Sequence, residues 1–190
     1  MAPQVNLTGE READALLSDN PFALLVGMLL DQQVPMEVAF TGPLRVSERI
    51  DGALDPATIA AMEPDDLEAV FRDKPAVHRY PGSMAKRVHA LATTIVEEYD
   101  GDAAAIWRDA GSGAELKRRL TALPGFGDQK SRIFVALLGK QYGVTPEGWR
   151  DAAGEYGEPG YRSIADVVDE DALLRVREFK RARKQSSGAA

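Results

Sequence analysis

Apolar residues recur along the chain with the three-to-four-residue spacing of amphipathic helices. The clearest stripe follows the dipeptide Asn20-Pro21 and comprises Phe22, Leu25, Val26, Leu29 and Leu30. Similar stripes lie within residues 84–95 and 133–138. No segment of useful length alternates strictly between apolar and polar residues, as a half-buried strand would. The pattern therefore predicts an all-α protein built from many helices of ordinary length.

Polar caps and prolines mark where several of these helices begin. Asn20-Pro21 and Asp55-Pro56 each combine a capping side chain with a proline at the first helical position. A terminal helix is predicted over residues 169–184, ending in a basic run. The final six residues, QSSGAA, lack apolar side chains large enough to pack, so we expect a disordered tail over residues 185–190.

Composition excludes several classes of site. The 190-residue chain contains no cysteine, which excludes disulfides, cysteine-ligated zinc and a cysteine-held iron–sulfur cluster. Only two histidines are present, so we expect no metal site. The N-terminus MAPQVNLTGE lacks the basic and apolar regions of a signal peptide, and no apolar run reaches membrane-spanning length. We therefore expect a cytoplasmic protein without a membrane partner.

Charge is distributed unevenly along the chain, whose net charge is −7. Residues 1–70 carry 13 acidic and 3 basic side chains, whereas the remainder carries 17 acidic and 20 basic ones. Residues 115–140 hold six basic side chains and only two acidic ones. Because screening limits electrostatic reach to roughly 8 Å at physiological salt, this local excess can attract phosphate despite the overall acidity.

The segment LPGFGDQKS, residues 123–131, joins a short basic helix to an apolar one. Gly125 and Gly127 tolerate positive φ and leave no side chain in front of the backbone amides. The first amides of a helix are unpaired and lie at the positive end of its dipole, so such a turn can bind a phosphate. A tight helix-to-helix connection is the alternative.

This segment resembles the phosphate-binding hairpin of the helix–hairpin–helix (HhH-GPD) DNA glycosylase superfamily, which includes endonuclease III and the alkylation-repair glycosylases. Two further segments support the resemblance: ALLVGMLLDQQVPMEVA is similar to the early helix that ends in glutamine, and PGSMAKRVHALA to the connecting helix. The resemblance spans about residues 21–147. It implies a single two-lobed helical domain over residues 1–184, with the hairpin at about 115–139 and no iron–sulfur cluster.

The resemblance also implies base excision repair of DNA, with a monomer bound to double-stranded DNA that contains a damaged or mismatched base. The base would leave the stack and enter a pocket. No cofactor is implied, except a monovalent cation at the hairpin when DNA is bound. The residues implied to contact DNA are Gln32, Gln33, Leu123, Gly125, Gly127, Gln129, Lys130 and Ser131.

Cleavage of the N-glycosidic bond builds positive charge on the sugar, which a nearby carboxylate would stabilise. The family's aspartate register falls on Glu147, and Asp151 has the family's residue type four positions later. Thr145 and Pro146 predict a helix start here, which would place both carboxylates on one face near its positive end. Both are therefore candidate catalytic residues.

Family members that also cut the DNA strand use a lysine as nucleophile, and that register falls on Gln129, one residue before Lys130. The sequence thus favours a monofunctional glycosylase. The displaced carboxylate and the net acidity instead favour a non-catalytic helix–hairpin–helix protein that binds DNA. A helical protein-interaction module that uses the acidic N-terminal half is a third alternative.

Overall fold

The computed structural model describes residues 4–188. Over that range the chain forms α-helices and two short 3₁₀ helices, Gly154–Gly157 and Ile164–Asp166, with no strand. The α-helices are α1 (Arg11–Asp19), α2 (Pro21–Leu30), α3 (Met36–Arg49), α4 (Pro56–Ala61), α5 (Pro64–Arg72), α6 (Pro81–Tyr99), α7 (Ala105–Arg108), α8 (Gly113–Thr121), α9 (Asp128–Gln141), α10 (Trp149–Ala153) and α11 (Glu170–Ser187). The all-α prediction is confirmed.

The predicted caps form where the sequence places them. The Asn20 side chain accepts a hydrogen bond from the Ala23 amide before α2, and the Asp55 side chain accepts one from Thr58 before α4. Each cap satisfies an amide that the helix itself leaves unpaired. The terminal helix α11 starts after Asp169 as predicted but continues to Ser187, so residues 185–187 of the predicted tail are helical. Residues 189 and 190 lie outside the described residues.

The helices pack in two groups. Helices α1–α6 pack chiefly against one another, and so do α7–α11 with the two 3₁₀ helices. Residues 22–30 of α2 are all buried at the centre of the first lobe, and α9 has the same place in the second. One continuous apolar core runs through both lobes. The chain therefore folds into two lobes whose cores are joined.

Specific polar contacts connect the two lobes. The Tyr142 hydroxyl at the end of α9 donates a hydrogen bond of 2.8 Å to the Leu17 carbonyl in α1. Helix α11 reaches both lobes, because Arg177 pairs with Glu37 of α3 and, further along, Arg183 pairs with Glu155 at 2.8 Å. The C-terminal helix therefore spans the junction between the lobes.

Across residues 4–188, no single helix is long and apolar enough to cross a membrane. Helices α1 and α2 reach that length and hydropathy only when taken together, and they are bent by 117° relative to each other.

Candidate nucleic-acid interface and carboxylate site

The hairpin bend, residues 123–127, joins α8 to α9 and presents its glycines outward. Leu123 and Phe126 are buried, and the Phe126 ring packs edge-on against Phe134 with 5.9 Å between centroids. Gly125 and Gly127 are exposed, and Gly125 has a φ of +82° that other residues rarely adopt. The apolar side chains thus anchor the bend, while the glycines leave its backbone open to solvent.

The amides at the start of α9 are free to bind an anion. Within residues 4–188, no acceptor pairs with the backbone N–H groups of Gly127, Asp128, Gln129 or Lys130, and Gly127 provides no capping side chain. These groups lie at the positive end of a 14-residue helix. The bend is therefore open to solvent and carries unpaired amides, as a phosphate site requires, and is not a buried helix-to-helix connection.

Two cationic side chains lie beside these amides, and both pair with the carboxylate of Asp128. The Asp128 carboxylate lies 2.7 Å from Lys117 Nζ and 2.8 Å from an Arg132 guanidinium nitrogen. Hydrogen bonds from Lys117 and Arg132 hold the pKa of Asp128 below its ordinary value. The carboxylate is accordingly ionised, but its charge is balanced by two neighbouring cations.

Two of the residues predicted to contact DNA are not at the surface. The Leu123 side chain is buried in the core, which leaves only its backbone at the bend. Ser131 is fully buried, and its amide donates to the Gly127 carbonyl at 3.0 Å. Neither side chain can reach a phosphate, so we leave both side chains out of the proposed DNA contacts.

Gln129 and Lys130 point toward different parts of the protein. Gln129 Nε2 donates a hydrogen bond of 2.9 Å to the hydroxyl of Tyr156, in the 3₁₀ helix after α10. Lys130 Nζ instead contacts three carbonyl oxygens at the end of α2, those of Met28 (2.7 Å), Leu29 (3.2 Å) and Asp31 (3.4 Å). Lys130 therefore connects the start of α9 to the end of α2, across the two lobes.

Burial changes the titration of the Lys130 ammonium. Desolvation lowers its pKa from 10.5 to about 8, and this effect exceeds the opposing attraction of Asp31. The three carbonyls lie at the negative end of α2, where a cation is favourable. At neutral pH the side chain is thus a protonated donor to carbonyl groups rather than a free amine.

The two glutamines predicted to contact DNA both lie in the turn after α2, residues 31–34, but their side chains have different surroundings. The Gln32 side chain donates to the Leu29 carbonyl at 2.8 Å and accepts from Arg87 at 3.0 Å, so it is held against the protein. Gln33 is exposed, has a φ of 57°, and forms no side-chain hydrogen bond within residues 4–188. Of the two, Gln33 is the residue available to a ligand.

His78 holds this α2 turn in place. His78 lies in the segment before α6 and is only 2% exposed. Its Nε2 contacts the carbonyls of Leu30 (3.1 Å) and Gln32 (3.0 Å), and its Nδ1 accepts from the Tyr80 amide (3.0 Å). Because Nδ1 is an acceptor, Nε2 carries the proton. The sequence around His78 contains no pattern that would have indicated these hydrogen bonds to the α2 turn.

Asp31 is a carboxylate that the sequence analysis did not single out. It is partly buried at the C-terminal end of α2, and within residues 4–188 its carboxylate has no hydrogen-bond or ion-pair partner. Desolvation raises its pKa above the ordinary value of 3.8, against the opposing effects of Lys180 and Lys130. Its position beside Gln32 in the early segment was visible in the sequence, but its burial was not.

The carboxylates predicted as catalytic do not share one helix. The prediction of a helix starting at Thr145 and Pro146 is wrong, because α10 begins only at Trp149. The Pro146 carbonyl accepts from the Trp149 amide at 3.0 Å, and Gly148 has a φ of 73°, so a turn precedes the helix. Asp151 lies in the first turn of α10, while Glu147 lies in the preceding turn.

This turn is fixed by close packing against α8 and α9. The Gly113 amide donates a hydrogen bond of 2.8 Å to the Glu147 carbonyl. A Cβ on Gly139 of α9 would lie 2.4 Å from the Trp149 ring, so only glycine lets the indole sit there. This hydrogen bond and this close contact therefore hold the backbone that carries Glu147 and Asp151 in one conformation.

Glu147 and Asp151 share one cavity beside the hairpin bend. The cavity has a volume of about 870 Å³ and includes Lys117, Thr121, Ala122 and Asp128 in its lining. Both candidate carboxylates are exposed. Residues 31–34 and Lys130 do not line this cavity, so the structure separates the predicted site into a carboxylate cavity and a junction at the α2 turn. No group of three or more metal-ligating side chains occurs in the part of the chain described.

Comparison with known proteins adds one match. A family model for the HhH-GPD superfamily base excision DNA repair protein matches residues 26–187. Searches of curated proteins and of solved structures returned no match. The matched residues include the α2 turn, the hairpin bend, both candidate carboxylates and the whole of α11.

Proposed function

Because the chain belongs to the HhH-GPD superfamily of base excision DNA repair proteins, we propose that it is a DNA glycosylase that hydrolyses the N-glycosidic bond of a damaged or mismatched base. The observation that carries the proposal is the exposed hairpin bend with its unpaired amides at the start of α9. Phosphate contacts of this kind position a protein on DNA without reading its sequence.

The reaction requires negative charge near the sugar. The bond between C1′ and the base nitrogen breaks, its electron pair leaves on the base, and positive charge develops on the sugar. A water oxygen then bonds to C1′, and the proton that this water loses passes by way of a carboxylate to the departing base. The candidates for this carboxylate are Glu147, which lies in the family register, and Asp151, which has the family's residue type, and both line a cavity beside the hairpin bend.

Two observations support a monofunctional enzyme. Gln129 occupies the register of the family's nucleophilic lysine, and its amide side chain is bonded to Tyr156. Lys130 donates to three carbonyls at the end of α2, so its side chain is a bonded ammonium rather than a free amine. Borohydride should therefore trap no covalent adduct between the protein and an abasic duplex. An adduct that disappears in Lys130→Met would contradict the monofunctional proposal.

The partner we propose is double-stranded DNA, bound by a monomer. The carbonyl groups of Gly125 and Phe126 accept no hydrogen bond from residues 4–188. Hard cations are bound by oxygen ligands, so these carbonyls fit the monovalent cation that the resemblance implies for the DNA-bound state.

An activity assay tests the proposal. The protein is incubated with duplexes that carry alkylated, deaminated or oxidised bases, and alkali then reveals abasic sites. Base release from at least one duplex is expected, with losses on the order of a hundredfold in Glu147→Gln or Asp151→Asn if that residue stabilises the sugar cation. Wild-type activity in both variants would show that neither Glu147 nor Asp151 takes part in the reaction.

The second candidate function is a non-catalytic protein that binds DNA through the hairpin. The solvent exposure of Glu147, a glutamate in the aspartate register, favours it. It predicts salt-dependent DNA binding without base release from any duplex.

A further inference from the structure

We infer that Asp31, at the C-terminal end of α2, is the carboxylate that faces the sugar of the bound nucleotide. The inference rests on the proposed glycosylase function and identifies a residue for it. It differs from the family register, which points to the segment before α10.

The first argument is the position of Asp31 relative to the hairpin bend. The bend packs on the last turn of α2, since a Cβ on Gly125 would lie 3.1 Å from Leu29 Cδ1. Lys130, in the first turn of α9, contacts the Asp31 carbonyl at 3.4 Å. A nucleotide whose phosphate binds the free amides of α9 is therefore close to the end of α2, where Asp31 lies.

The second argument is the state of the Asp31 carboxylate. It is partly buried and without a hydrogen-bond or ion-pair partner among residues 4–188. An unpaired, desolvated carboxylate is costly to the folded state, and such groups cluster at functional sites. Glu147 and Asp151 are exposed to solvent, which weakens the electrostatic effect of a carboxylate on a sugar.

The third argument is the ring of charged and titratable groups around Asp31. Lys130 of α9 and Lys180 of α11 both favour the ionised form of Asp31 and lower its pKa against the effect of burial. Arg87 of α6 holds Gln32, and the His78 ring holds the carbonyls on either side of Asp31. The nearby cations would let phosphates approach a carboxylate that would otherwise repel them. Desolvation by the DNA would then strengthen the attraction between Asp31 and a sugar cation.

A binding experiment tests the inference independently of base release. Two duplexes are compared, one with a neutral tetrahydrofuran abasic site and one with a cationic pyrrolidine that mimics the charged sugar. The wild-type protein should prefer the pyrrolidine duplex, and Asp31→Asn should lose about tenfold or more of that preference. Asp100→Asn is the matched control, because Asp100 is exposed and its left-handed backbone also suits asparagine.

Two outcomes would overturn the inference. One is a wild-type protein without preference for the cation. The other is an Asp31→Asn variant that keeps the preference. If the preference disappears in Glu147→Gln or Asp151→Asn instead, the family register identifies the carboxylate. Failure to release any base, with the cation preference intact, would contradict the glycosylase proposal but not the position of Asp31.

Stability separates this role from a purely structural one. The carboxylate of Asp31 is disfavoured by burial, so Asp31→Asn should unfold at the same or a higher temperature than the wild type. Base release should nevertheless fall on the order of a hundredfold. A residue that only supports the α2 turn would show a lower unfolding temperature and an unchanged cation preference, and that result would also overturn the inference.

Discussion

At the scale of single residues, His78 controls the backbone that carries Asp31 and Gln33. Its neutral ring bonds the carbonyls of Leu30 and Gln32 through Nε2 and accepts the Tyr80 amide at Nδ1. A second proton on Nδ1 would remove that acceptor and place a charge in a buried position. The geometry of the α2 turn therefore depends on an uncharged histidine.

This dependence predicts that acid destabilises the protein through His78. Burial lowers the pKa of His78 below its ordinary value of 6.5, so the unfolded chain binds the proton more readily than the folded one. Stability from this group is present above pH 6.5 and is lost as the pH falls toward the folded pKa, by at most about 1.4 kcal/mol per pH unit. Denaturant unfolding measured between about pH 5 and 8 checks this.

The matched comparison for this prediction is between the two histidines. In His78→Gln, the pH dependence of unfolding below neutrality should be shallower than in the wild type, although the variant is less stable overall. His89→Gln serves as the control, since His89 contacts only the Met62 carbonyl, away from the α2 turn. An equally steep acid dependence in His78→Gln would show that other groups cause it.

At the scale of elements, the hairpin bend offers a variant that removes one phosphate donor and leaves the helix intact. Asp128 is the first residue of α9, where proline is favourable, and Gly127 before it is extended (φ −84°, ψ −179°) as a proline requires of its predecessor. Asp128→Pro thus deletes an unpaired N–H, and Asp128→Ala removes the same carboxylate but keeps the N–H.

The pair gives a sharp prediction for DNA affinity. Asp128→Ala frees Lys117 and Arg132, so it should bind a duplex at least as tightly as the wild type. Asp128→Pro should bind about tenfold more weakly than Asp128→Ala, because a hydrogen bond to a charged phosphate is lost. Fluorescence anisotropy with an abasic duplex measures both. Equal affinities would mean that the Asp128 amide does not contact the phosphate.

The elements also show what the sequence could predict. Caps at Asn20 and Asp55 and the glycines of the bend are local signals, and each was found where the sequence placed it. The helix start before Glu147 failed because a tertiary contact, the Gly113 amide on the Glu147 carbonyl, favours a turn over a capped helix. At this position the local signal for a helix start competes with tertiary packing, and the packing determines the backbone conformation.

The candidate site was predicted only in part for a related reason. Lys130 and Asp31 are 99 residues apart, and their proximity arises from the packing of α9 on the end of α2. Spacing within one segment carries no information about such a contact. The family register indicated candidate segments, but burial, which distinguishes Gln32 from Gln33 and Asp31 from Glu147, required the folded chain.

At the scale of the whole molecule, α11 links the acidic N-terminal half to the basic hairpin lobe. Its packing partner is the 3₁₀ helix Ile164–Asp166 of the second lobe, yet Arg177 pairs with Glu37 in the first. Lys180 lies one turn further along, and its charge favours the ionised form of Asp31. The basic helix thus places charge at the junction of the lobes.

Lys180 should therefore tune the pH at which Asp31 acts. Among the charges near Asp31, Lys180 opposes the raised pKa most strongly, so its removal raises the pKa of Asp31 further. If Asp31 must be ionised to stabilise the sugar cation, Lys180→Gln shifts the acid limb of the pH–rate profile to higher pH. Single-turnover base release across the acid limb measures this shift.

Lys184→Gln makes the same charge change one turn further along the exposed end of α11 and should shift the limb much less, because screening weakens distant charges. Equal shifts in the two variants would indicate a general charge effect, and an unmoved limb in Lys180→Gln would mean that a group other than Asp31 limits the reaction in acid.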